Sequence, residues 1–180
     1  MKFSFAVVAS LFIAAQAVAL PAEVKEVEAA DAAPRCPNSR NATPLYRAFN
    51  PSVTDHFYTT NAVEVQNAGG YQREGQAGRV FPNQAPSTVP FYRLYNPSRP
   101  NHFYTTNQWE ANNAAATLGY NREGVAGYVF ATQICGAVPL YRLYHVGSVN
   151  HFYTTNWNER NNAITNLGYS DEGVAGYILQ

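Results

Sequence analysis

Charge is scarce in this chain, and one carrier of it is nearly missing. Only 13% of the residues are charged, 12 basic against 12 acidic, and from Cys36 onward there is no lysine. The nine arginines and eight acidic residues of that segment are scattered. Without basic clusters, neither nucleic acid nor an anionic membrane surface is expected as a partner. No apolar run long enough to cross a bilayer follows residue 20, so no membrane span is expected. Enzyme signatures are lacking too: there is no nucleophile elbow, no glycine-rich phosphate loop and no HExxH. No catalytic residue, metal or cofactor is expected, and the chain is read as a non-enzyme.

The start of the chain is of another kind. Lys2 precedes an almost wholly apolar stretch from Phe3 to Leu20, and Ala17-Val18-Ala19 has the small-x-small pattern of a signal peptidase site. Residues 1–19 are therefore expected to be a signal peptide and the protein secreted. Residues 20–43 are read as a disordered leader or propeptide, because Glu23, Glu26, Glu28 and Asp31 lie among small residues with no aromatic before Arg35. Cysteine is limited to Cys36 and Cys135. In an exported chain two cysteines most simply pair, so a disulfide is expected. Asn41-Ala42-Thr43 is a glycosylation sequon, whereas proline follows both Asn50 and Asn96 and removes those two.

What the chain has in abundance is aromatic residues and repetition. All 13 tyrosines lie after Cys36, and HFYTTN occurs three times. Residues 44–180 form a single domain of three repeats, 44–81, 90–130 and 139–179. Each begins with Pro and Tyr-Arg-x-aromatic, read as a strand. A turn follows, then His-Phe-Tyr-Thr-Thr, rich in aromatic and β-branched residues, as a second strand with His and Tyr on one face and Phe on the other. Asn61, Asn107 and Asn156 stand three residues before Glu64, Glu110 and Glu159, the spacing of a helix capping box. Gly70, Gly119 and Gly168 are read as left-handed helix ends. The first helix is three residues shorter than the others. The closing Glu-Gly-x-Ala-Gly segment is read as one or two short strands around a tight glycine turn.

One such repeat cannot bury its own apolar face. The expected fold is mainly β with short helices: a pseudo-threefold closed β fold, β-trefoil-like with one helix per repeat. The alternative is three small sheets arranged like propeller blades.

The blocks LYRLY, NHFYTT and LGY-x-x-EGVAGY resemble a secreted repeat domain of fungi and bacteria, a family of unknown function often attached to bacterial secreted hydrolases. The resemblance covers Pro44 to Leu179. It implies an extracellular three-repeat module with a carbohydrate-binding role, and it supplies no catalytic residues. The first repeat departs from the pattern, with Arg79 where the others have Tyr128 and Tyr177, and no tryptophan at Ala62 or Val63.

The candidate ligand-binding residues are Trp109, Tyr128, His102, Tyr104, Arg93 and Glu123 in the second repeat. Their counterparts in the third are Trp157, Tyr177, His151, Tyr153, Arg142 and Glu172. Exposed rings with a few polar groups beside them make a shallow saccharide pocket. The structural reading of the same residues is helix packing for the tryptophans and an internal Arg–Glu ion pair in each repeat for Arg47, Arg93 and Arg142. The function expected is a lectin-like module for extracellular or cell-wall glycans, with avidity from repetition. The second and third repeats should bind and the first weakly or not at all. Alternatives are a protein-binding effector or inhibitor and, less favoured, a secreted hydrolase.

Overall fold

The computed structural model describes residues 35–180. The expected signal peptide and the leader up to residue 34 lie outside the described residues. From residue 43 on, each repeat lays down the same elements. The first holds β1 (Thr43–Asn50), β2 (Asp55–Thr59), α1 (Ala62–Asn67) and β3 (Gln72–Val80). The second holds β4 (Thr88–Asn96), β5 (Asn101–Thr105), α2 (Gln108–Thr117) and β6 (Asn121–Phe130). The third holds β7 (Val138–His145), β8 (Asn150–Thr154), α3 (Trp157–Asn166) and β9 (Ser170–Ile178).

In every repeat the first strand is central. It pairs antiparallel with the short second strand on one side and the third on the other, in the order β2-β1-β3 and its equivalents. The helix is the connection between the two outer strands. The fold is mainly β with one helix per repeat. The third strands also touch in sequence around the molecule. Phe81 bridges Tyr128, Phe130 pairs with Tyr177, and Leu179 bridges Arg79, so the last repeat returns to the first. Only the Phe130–Tyr177 contact joins two repeats into a common six-stranded sheet. Each repeat thus supplies fewer strands than a trefoil lobe uses, and among the described residues no continuous ladder runs around a closed barrel.

The glycine-rich third segment is one strand, not two strands and a turn. Register shifts between Leu45 and Tyr46 and between Arg47 and Ala48 absorb extra residues of β3 around Gly75, whose φ is 101°. Glycine tolerates that backbone where other residues strain. The second glycine of the motif serves close packing instead. A Cβ on Gly127 would lie 2.6 Å from Val80 Cγ2.

The helices start as the spacing predicts. The side chains of Asn61, Asn107 and Asn156 accept two helix amides each, and α1 has 6 residues against 10 in α2 and α3. The expected return bond from glutamate to the cap amide is absent. Thr59, Thr105 and Thr154 hydroxyls accept the cap amides and donate to Glu64, Glu110 and Glu159, leaving those carboxylates turned outward from their own caps. Cys36 and Cys135 form a disulfide, with Cα atoms 5.4 Å apart.

The core lies on the pseudo-threefold axis. Leu45, Phe91 and Leu140 from the central strands and Val80, Val129 and Ile178 from the third strands surround three fully buried tyrosines, Tyr58, Tyr104 and Tyr153. Each tyrosine hydroxyl serves the edge of a neighbouring second strand. Tyr104 Oη accepts from Tyr58 N and donates to Tyr58 O, both at 2.8 Å. Tyr153 does the same for Tyr104, and Tyr58 for Tyr153. The three inner strand edges are thereby satisfied without strand pairing.

Candidate functional site

Away from the axis, the junctions between repeats hold the polar residues. The predicted ion pair within each repeat exists: Arg47, Arg93 and Arg142 place Nε 3.0 Å from Glu74, Glu123 and Glu172. For Arg93 and Arg142 this approach is too poorly aligned for a hydrogen bond and acts as a charge contact. Each arginine also makes a two-toothed bond to the cap glutamate of the preceding repeat: Arg93 to Glu64, Arg142 to Glu110, and Arg47 back to Glu159. The guanidinium lies over a phenylalanine of that same preceding repeat, 5.4 Å for Arg93 over Phe57. Burial alone would raise the cap glutamates, but the hydrogen bonds from arginine and threonine outweigh it and hold Glu64, Glu110 and Glu159 below the ordinary value. Glu74 and Glu172 move up, because there burial outweighs the arginine charge.

The histidines lie at the same junctions. His56, His102 and His151 are buried, each against an aromatic ring of its own hairpin: Phe49 at 4.6 Å, Tyr95 at 4.6 Å and Tyr144 at 4.7 Å. Their Nδ1 atoms face Asn150, Asp55 and Asn101 of the preceding repeat in the ring.

These residues floor three related clefts. The cleft between the second and third repeats has a volume of about 480 Å³ and is lined among others by Trp109, Glu110, Tyr120, Arg142, Tyr144 and His151. The one between the first and second, about 460 Å³, is lined by Phe57, Val63, Glu64, Tyr71 and His102. The one between the third and first, about 210 Å³, is lined by His56, Glu74, Phe152, Glu159 and Tyr169.

The predicted site residues are therefore sorted across repeats, not within them. Trp109 is 73% exposed and shares its cleft with Arg142, His151 and Glu172 of the next repeat. Trp157, 54% exposed, does not line the equivalent cleft. It packs on Tyr141 with ring centroids 5.5 Å apart, and the Arg160 guanidinium lies 4.5 Å above it. The two tryptophans stand one residue apart in register, and one helical step is a rotation of about 100°, enough to send them to different walls. Tyr104 and Tyr153 are the buried axial rings and reach no surface ligand. Tyr128 and Tyr177 pack on the cluster of Ala42, Phe81, Phe130, Ala137 and Leu179 beside Cys135, and neither lines the three clefts. Arg93, Glu123 and His102 belong to the junction with the first repeat and so are separated from Trp109. Asn41 is exposed at the end of a short 3-10 turn, Ser39–Asn41, accessible to a glycan.

Sequence reasoning passed over Tyr144, the tyrosines after the helix glycines, and the Asp or Asn before each HFY. The last had a visible signal, a polar residue recurring inside an aromatic strand block. Among the described residues no group of histidine, cysteine and acidic side chains is arranged to hold a metal ion, and no helix is long and apolar enough to cross a membrane.

A family model described as a domain of unknown function, DUF5648, matches residues 44–179. No curated protein and no solved structure matches the chain.

Proposed function

We propose that this chain, which belongs to the DUF5648 family, is a secreted, non-catalytic module that binds carbohydrate in the clefts between its repeats. The observation that carries the reading is the cleft between the second and third repeats. There an exposed indole, Trp109, stands beside a polar floor of His151, Tyr120 and Glu172. A sugar ring needs that combination: an apolar plate for its C–H face and fixed polar groups for its hydroxyls. The floor is held in place by the Arg142 clamp to Glu110 and Glu172, so little ordering remains to be done on binding.

Only one of the three clefts has tryptophan on its wall, so one site dominates rather than two equal ones. The weaker clefts add avidity on a polymeric glycan, since three sites on one rigid body engage a repeating surface together.

A glycan array on residues 35–180, followed by titration calorimetry with the best ligand, tests the reading. A stoichiometry near one is expected for the strong site. Trp109→Ala should abolish it with the fold intact, and Trp157→Ala should leave it unchanged. Equal loss from both substitutions, or two equal sites, would contradict the single-cleft reading. No heat with any glycan would favour a protein partner instead.

A further inference from the structure

The three junctions are alike except at one buried position. The residue opening β2, β5 and β8 is Asp55, Asn101 and Asn150, each fully buried. One oxygen of each accepts the backbone amide of the histidine in the next repeat: Asp55 from His102 at 2.8 Å, Asn101 from His151 at 2.9 Å, Asn150 from His56 at 3.1 Å. A backbone amide only donates, so the oxygen must face it and the NH2 of both asparagines must face away. That NH2 meets His151 Nδ1 and His56 Nδ1, each at 2.9 Å, and the hydroxyls of Tyr120 and Tyr169 at 2.6 and 2.7 Å. Both Nδ1 atoms therefore accept, and the ring proton sits on Nε2. Tyr120 and Tyr169 accept as well and keep their own hydrogen for a ligand. Both rings are neutral in the folded protein, since burial and the neighbouring arginine lower His56 to about 4 and His151 to about 3.

At Asp55 the pattern reverses. Its second oxygen lies 2.5 Å from the Tyr71 hydroxyl and 2.6 Å from His102 Nδ1. A carboxylate has lone pairs and no hydrogen. Tyr71 spends its hydrogen on Asp55, and His102 carries one on Nδ1. Tyr71 then offers a lone pair where Tyr120 and Tyr169 offer a hydrogen, and His102 holds an Nδ1 hydrogen that His56 and His151 lack.

We propose that Asp55 inverts the hydrogen-bond polarity of the cleft between the first and second repeats, making it a separate site for a ligand that bears an amine. The choice of an amino-bearing sugar as that ligand rests on the carbohydrate reading above. Tyr71 and His102 both line this cleft with Glu64. Its charges point the same way: Glu64 and Glu123 share a single guanidinium, Arg93, and Asp55 lies against His102. The Trp109 cleft is lined by Arg99 in addition to Arg142. An ammonium has three hydrogens to give and no lone pair to accept with, so it fits lone pairs and carboxylates and is repelled by the second arginine. Burial and the bond to Asp55 also raise Tyr71, which keeps its proton in place.

Long-range nitrogen–proton NMR of the histidine rings, with titration of a glucosamine tetramer and its N-acetylated counterpart, tests this on the folded domain. His102 should carry its proton on Nδ1, and His56 and His151 on Nε2. The glucosamine tetramer should shift His102 at about tenfold lower concentration than the acetylated form. Asp55→Asn, which installs what the other two repeats already have, should move the His102 proton to Nε2 and erase that preference. One tautomer in all three rings, or a preference for the amine that survives Asp55→Asn, would overturn the proposal. Methylammonium separates it from the carbohydrate reading. A shift at His102 with methylammonium but with neither tetramer keeps the amine site and sinks the sugar; no shift at His102 with any amine sinks the amine site.

Discussion

Replacing Tyr104 with phenylalanine removes one oxygen and should cost more than almost any other single-atom change in the protein. The hydroxyl accepts from Tyr58 N and donates to Tyr58 O at 2.8 Å each. Tyr58 is 1% exposed, so water cannot take over either bond. The gap left is about one oxygen atom, less than a water molecule needs. Two buried backbone groups are orphaned at about 1–3 kcal/mol apiece, a loss of about 2–6 kcal/mol. Against a typical total of about 5–15 kcal/mol, that is a large fraction. Guanidinium unfolding of Tyr104→Phe reads the loss directly. Tyr58→Phe and Tyr153→Phe should fall in the same range, because each serves an equivalent edge. Losses below about 1 kcal/mol for all three would refute the claim that hydroxyls satisfy the inner strand edges. One costly and two silent substitutions would refute their equivalence.

Acid should destabilise the protein earlier than its carboxylates alone would. With folded values lowered from 6.5 to about 4 and 3, His56 and His151 contribute stability that is complete above about pH 6.5 and is lost progressively as the pH falls from there toward those values. Thermal melts from pH 8 to 4 should be flat at the top and fall below about 6; a constant midpoint down to pH 4 would count against buried neutral histidines. Replacing both Cys36 and Cys135 with serine, which opens a loop spanning 99 residues, should cost roughly 3–5 kcal/mol in chemical denaturation.

The helix starts, the left-handed glycines and the disulfide were legible because each is decided within a few residues or by elimination. Asn61 caps α1 whatever surrounds it. What could not be read was the copy to which a side chain turns. Arg47 pairs with Glu74 in its own repeat and with Glu159, 112 residues away. A repeated sequence offers three glutamates of the second kind and no local rule for choosing among them. The grouping of Trp109 with Tyr128 failed for the same reason. Shared membership of a repeat says little about shared walls when the three related clefts lie between repeats. The trefoil reading counted the glycine segment as a possible pair of strands, whereas the bulges opposite Leu45–Ala48 let one strand take up the extra residues.

The clamp that sends Arg93 to Glu64, Arg142 to Glu110 and Arg47 to Glu159 runs head to tail and closes after three steps. Such contacts are of the heterologous kind that build rings, and nothing in them requires the members to be covalently joined. A single repeat freed from its neighbours carries both halves of the joint, the arginine and the cap glutamate. Three such joints close one ring, so every repeat is held by both of its neighbours and none is a loose end.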